Sequence, residues 1–195
     1  MSEDTRSLGR KLTSRGYEAL FTGADHERLL DEIWASAPQH EFEGLAGDTG
    51  APSLARFLSS QVLLRKDMTF LSRTDLNSLS GVYIQALLGN YTGTMTDWGF
   101  LRSNEDLGVA GSVFLVFGEQ SVHQLAELLN DTTVVDYERP SPDVSGFDRT
   151  RLQRVRIKDF AALYLSKIKN LPVTFEVTFE QRDKEIIKLK RKLSA

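Results

Sequence analysis

Helical periodicity constrains this chain more than any other feature. Across 75–88 the apolar positions are Leu76, Leu79, Val82, Tyr83, Ala86 and Leu87. Steps of three, three, one, three and one keep them on one face of a helix. Thr74 or Asp75 can cap its start through a side-chain acceptor, and Gly89-Asn90 can end it in a left-handed turn. Leu54, Phe57, Leu58 and Val62 predict a helix over 53–65, with Pro52 at its entrance. Leu29, Leu30, Ile33 and Trp34 predict another over 25–37, stopped by Pro38. Val122, Leu125, Ala126, Leu128 and Leu129 predict one over 119–130. Ile157, Phe160, Ala161, Tyr164, Leu165 and Ile168 predict one over 153–169. Ile186, Leu189 and Leu193 mark the last, and Thr178 and Gln181 have capping-box spacing at its start. The stretches 8–21 and 109–117 also read as helical.

Three breaks interrupt the pattern. Residues 38–52 read as a loop, 89–106 as an irregular connection, and 131–149, with Pro140 and Pro142, as the longest loop. Loops beyond about 15 residues are uncommon and often functional. Residues 173–179 alternate apolar and polar, which is a strand signal. A lone strand would leave its backbone groups unpaired, and Val134-Val135 is the only candidate partner. The segment is therefore expected as an extended connector. The fold class predicted is all-α, a solenoid-like stack of antiparallel helix pairs with one short extended segment near 173–179. A chain of 195 residues is expected to form one helical domain. Helices of uncertain packing occupy 1–50, and helix pairs separated by the loops 89–106 and 131–149 fill 53–195.

Composition removes several function classes. The chain has no cysteine, so disulfides, thiolate zinc sites and cysteine nucleophiles are excluded. The polar N-terminus lacks the apolar core of a signal peptide, and no run approaches the ~18 apolar residues of a membrane span. A cytoplasmic protein with no membrane partner is expected. Net charge is −3, which argues against nucleic-acid binding by charge alone. The charge is unevenly spread. Residues 1–48 carry ten acids against five bases. Residues 149–158 carry five bases (Arg149, Arg151, Arg154, Arg156 and Lys158) and no acid.

The stretch 117–131, FGEQSVHQLAELLND, resembles the second helix of a HEAT repeat: a glycine, a short acidic start, then a leucine-rich helix ending in aspartate. Residues 156–165, RIKDFAALYL, are similar to the helix that follows in HEAT-like bacterial proteins, and 181–190, QRDKEIIKLK, to their C-terminal helix. The resemblance covers about residues 50–195. It implies a curved stack of helix pairs with a concave binding surface, and it implies no chemistry.

No catalytic constellation stands out. His26, His40 and His123 fall in no ligand spacing, no GxSxG or phosphate-binding glycine motif is present, and no carboxylate pair separates itself from solvated helix faces. Gly108, Gly111 and Gly118 read as relief of crowding around 109–117. No cofactor and no metal is expected. Two features could bind a partner. Asp97, Trp98, Phe100 and Arg102 place two aromatics with an acid and a base in a polar loop, the usual chemistry of binding anchors. The competing reading has Trp98 and Phe100 plugging the core while Asp97 bonds its own backbone. On a helix beginning near Arg151, the side chains of Arg151, Arg154 and Lys158 share one face. That stripe could meet an acidic protein surface or a phosphate backbone, or else pair with Asp143, Asp148, Asp159 and the acidic N-terminal region. The function expected is a non-catalytic module that binds another protein through its concave face, an immunity or regulatory protein being one form. The alternatives are a nucleic-acid binder using residues 149–158, or an enzyme or accessory subunit with a loop-lined pocket.

Overall fold

The apolar stripes become helices that bury them. The structure is a computed structural model. It describes residues 3–22, 25–89, 94–95, 97–101, 107–142, 148–175 and 178–194, leaving out the side chains of 22, 68, 137–142 and 148–153. These residues are mostly helical and include one two-stranded antiparallel sheet. The chain divides into two compact units, Met1–Asn90 and Tyr91–Ala195.

The first unit comprises α1 (Glu3–Tyr17), a π-helical turn (Glu18–Thr22), α2 (His26–Trp34), α3 (Gln39–Gly47), α4 (Ser53–Lys66), a 3-10 turn (Met68–Arg73) and α5 (Leu76–Leu88). Helix α4 packs against α1, α3 and α5. Because it is surrounded, every residue from Phe57 to Leu63 is buried. Burying each large apolar side chain there contributes about 1.5–3 kcal/mol. Its serines are satisfied: the Ser59 hydroxyl donates across to the Phe42 carbonyl of α3 at 2.8 Å and Ser60 to the Phe57 carbonyl at 2.7 Å, while Gln61 Oε1 is buried without a hydrogen-bond partner among the described residues. Gln61 donates to the Tyr83 hydroxyl at 2.5 Å. Tyr83 meets Phe57 edge-on at 5.2 Å, and burial holds its phenol pKa well above the ordinary range.

The loop expected at 38–52 is largely α3. Gly44, Gly47 and Gly50 make the stretch look like a turn, but Phe42, Leu45 and Ala46 stand at i, i+3 and i+4 and are all buried. Burial of these side chains, with α3 packed on α4, outweighs the glycine cost. Gly89 ends α5 in extended backbone, φ −63°, rather than in a left-handed turn. The expected cap at Asp75 forms, its carboxylate accepting from the Asn77 amide at 3.0 Å.

The second unit comprises α6 (Val109–Phe117), α7 (Glu119–Glu127), a 3-10 turn (Leu128–Asn130), β1 (Val134–Pro142), β2 (Asp148–Arg156), α8 (Ile157–Ile168) and α9 (Phe179–Leu193). Gly118, at φ +53°, makes the joint between α6 and α7. Helix α8 packs on α6, α7 and α9. Phe114 stacks on Tyr164 at 4.7 Å in the centre. Asn170, at φ +51°, ends α8 in a left-handed cap, and the Leu171 amide donates back to the Ser166 carbonyl at 2.7 Å.

Two expectations are corrected here. The long loop at 131–149 is mostly strand, and the helix expected from 153 begins at Ile157 because β2 runs to Arg156. Strand β1 pairs with β2 in register from Val134 opposite Arg156 to Pro142 opposite Asp148. Pro140 and Pro142, two residues apart, remove donors from one edge of β1 only. A two-stranded ribbon has a free edge on each strand, so it tolerates both. Val134-Val135, the partner considered for 173–179, pairs instead with Val155 and Arg156 of β2. Residues 171–175 form no regular element, Phe175 is buried, and 176–177 lie outside the described residues.

Candidate functional site

Strand β2, α8 and α9 converge on a buried ionic cluster. The Asp159 carboxylate, at 0% side-chain exposure, sits in the first turn of α8 and receives four bonds. The Arg156 amide donates to Oδ2 at 2.9 Å, the Arg156 guanidinium spans both oxygens at 2.9 and 3.2 Å, and Arg182 of α9 donates at 2.9 Å. Arg156 also grips Asp183 through two nitrogens at 3.0 Å, and Lys158 Nζ lies 2.7 Å from the same carboxylate. The Phe179 ring lies 4.4 Å from Arg156 Cζ and 5.0 Å from Arg182 Cζ. Burial works against the Arg156 charge, but its bonds to Asp159 and Asp183 raise its pKa above the ordinary value. Burial likewise opposes the Asp183 charge, but Arg156 and Lys158 hold its pKa below the ordinary range. Desolvated charges cost several kcal/mol each unless paired, and here each is paired. The cluster is a tie that fixes the root of the ribbon to two helices.

The sequence-predicted residues scatter around this tie. Lys158 belongs to it and is largely covered. Arg154 is exposed on β2, and its carbonyl accepts from Arg182 at 3.3 Å. Arg151 stands on β2 opposite Arg139, its side chain outside the described residues. The three cations therefore do not form one helix face: Arg151 and Arg154 lie on a strand, and only Lys158 lies on α8. Arg102 lies outside the described residues. Asp97 accepts from the Thr94 amide at 2.6 Å and the Thr94 hydroxyl at 2.9 Å. Trp98 and Phe100 are buried. The Gly99 carbonyl receives the amides of Ala110 and Gly111 at 2.8 and 3.0 Å, and the Phe100 carbonyl receives the Tyr164 hydroxyl at 2.8 Å. The Met95 amide donates to the Asp136 carbonyl at 2.9 Å, linking this segment to β1.

One surface was missed by sequence reasoning. Helix α6 buries Ala110, Val113, Phe114 and Phe117, yet Val109, Leu115 and Val116 remain 37%, 42% and 54% exposed. Ser112 lies among them on the outer face. The signal was present: VAGSVFLVF is apolar on every side, which a helix facing water on one side is not. Arg182, Asp183 and Phe179 were also missed, because on α9 they read as ordinary surface positions.

Among the described residues, no group of three or more His, Asp or Glu could hold a metal ion, and no helix is long and apolar enough to cross a membrane. No protein-family model, curated protein or solved structure matches the chain.

Proposed function

We propose that the protein is a non-catalytic interaction module that binds another protein, with the outer face of α6 as its contact surface. The observation that carries this reading is the exposure of Val109, Leu115 and Val116 on a helix whose other side is already buried. A helix apolar all round is normally covered all round, and contiguous apolar patches on a surface mark binding sites. The HEAT-like helix pairs belong to the same proposal, and the packing of α7 on α8 supports them. A cytoplasmic regulatory or immunity protein is the form we favour, in keeping with a cysteine-free chain.

Leu115→Asp combined with Val116→Asp tests it. Both side chains face solvent, so the fold stands. Central apolar anchors contribute about 2 kcal/mol or more to binding, so affinity capture of the native partner should fall well over tenfold. Capture at wild-type level would contradict the proposal. One observation favours a second reading, nucleic-acid binding: Arg149, Arg151 and Arg154 lie on a two-stranded ribbon, a shape that enters the major groove. Duplex binding that weakens with salt and with Arg154→Glu would shift the assignment there.

A further inference from the structure

A groove on α1, in the first unit, plays no part in the reading above. It encloses about 280 Å3 and is lined by Gly9, Leu45, Ala55, Thr13, Arg6 and Arg10. Leu45 and Ala55 lie beneath it in the buried core, Pro52 stands at its side, and its lining as a whole is mostly apolar. Arg6 and Arg10 are exposed one helical turn apart, and no described carboxylate forms an ion pair with either. Arg15, further along the same helix, does pair, with Glu32 at 3.3 Å.

Gly9 is the informative residue. Glycine inside a helix raises the backbone entropy lost on folding, so its presence needs a reason. Gly16 has one: an added Cβ would come 3.3 Å from Leu58. At Gly9 an added Cβ would meet Ala55 and Leu45 at 3.8 Å, an ordinary contact. The packing of α1 does not require glycine at this position. An added side chain would instead fill the floor of the groove.

We propose that this groove binds an acidic amphipathic segment of a partner protein. An apolar side chain of that segment rests over Gly9, and carboxylates one turn apart pair with Arg6 and Arg10. The apolar floor demands an apolar anchor. The two guanidinium groups rise from Cβ atoms about 5–6 Å apart, which matches acids at i and i+4 of a facing helix. Among the described residues, no acid lines the groove to compete with them.

The test uses the full chain and a short labelled helical peptide with leucines between glutamates at i and i+4. A lysine-for-glutamate peptide is the control, and inorganic phosphate and dodecanoate are the competitors. We expect the acidic peptide to bind and the lysine peptide not to. Binding should weaken at least tenfold in Gly9→Leu and in Arg6→Glu with Arg10→Glu. Gly9→Ala, which fits sterically, should weaken it less and leave the melting temperature equal or higher, separating groove filling from loss of fold. Equal binding of both peptides, or undiminished binding by the variants, would overturn the proposal. So would binding of dodecanoate or phosphate in place of the peptide. The α6 variants leave this result unchanged, so the two proposals fail independently.

Discussion

A methyl group at Gly111 would sit 2.0 Å from the Phe100 carbonyl oxygen and 3.1 Å from the Tyr164 hydroxyl. At Gly108 it would sit 2.2 Å from the Gly99 carbonyl oxygen. Both obstacles are at or beside backbone hydrogen-bonded to α6 or α8, so neither can yield cheaply. Gly111→Ala should therefore cost about 3 kcal/mol, the upper range for overpacking, read as a lowered urea midpoint. Relief of crowding, the reason read from the sequence for Gly108, Gly111 and Gly118, is the one observed at the first two, whereas Gly118 holds φ +53° with only an ordinary contact beside an added Cβ. The sequence could not show that the crowding partners of Gly108 and Gly111 are carbonyls nine and eleven positions earlier. Asp159 makes the complementary case. Asp159→Asn leaves Arg156 and Arg182 buried without their shared counter-charge, at an expected cost of about 3–5 kcal/mol. Adding Arg182→Met should restore part of it, because the loss lies in the stranded charge. Additive losses in that double mutant would contradict this account of the tie.

Elements were legible wherever local pattern and tertiary contact agree. The helices at 53–66, 76–88 and 109–117, and the capping box at Thr178, in which the hydroxyl accepts from the Gln181 amide at 3.3 Å, follow from spacing and short polar side chains. The ribbon was not legible. Its two strands are consecutive in the chain, but the prolines of the first imitate a loop and the five bases in ten residues around the second imitate a charged helix face. The 3-10 turn Met68–Arg73 shows what an element's entrance can contribute. Asp67 accepts from the Thr69 hydroxyl and amide and from Arg73, and its pKa falls from 3.8 to about 2. The Thr69 hydroxyl bond is the largest cause, then Arg73. A depressed carboxylate stabilises the fold fully above its unfolded pKa and ceases to as pH drops through the folded value. The wild-type urea midpoint should therefore fall between pH 3.8 and about 2, and Asp67→Asn should flatten that part of the profile. An unchanged slope would show that the contacts do not persist in solution.

At the scale of the whole molecule, each unit has its own arrangement. The first surrounds α4, and the second surrounds α8 and carries the ribbon. The predominance of helix was readable from periodicity. The division after Asn90 falls at the start of the connection read as irregular at 89–106, which in the sequence looks like an interruption within one domain rather than a boundary. Of the two readings open for the aromatics of 97–102, a binding patch or a plug in the core, Trp98 and Phe100 have the burial of the second. The surface that carries the proposed function was passed over because a nonapeptide polar only at Ser112 resembles a core helix. Whether the outer face of α6 meets a partner protein is decided by site-specific photocrosslinking, with the photoreactive residue at Val116 in one sample and at Gln85, exposed on α5, in another. A discrete protein adduct is expected from Val116 in native cells, absent from Gln85 and lost when Leu115→Asp is added. Val116 giving no adduct, or giving the same adducts as Gln85, would contradict it.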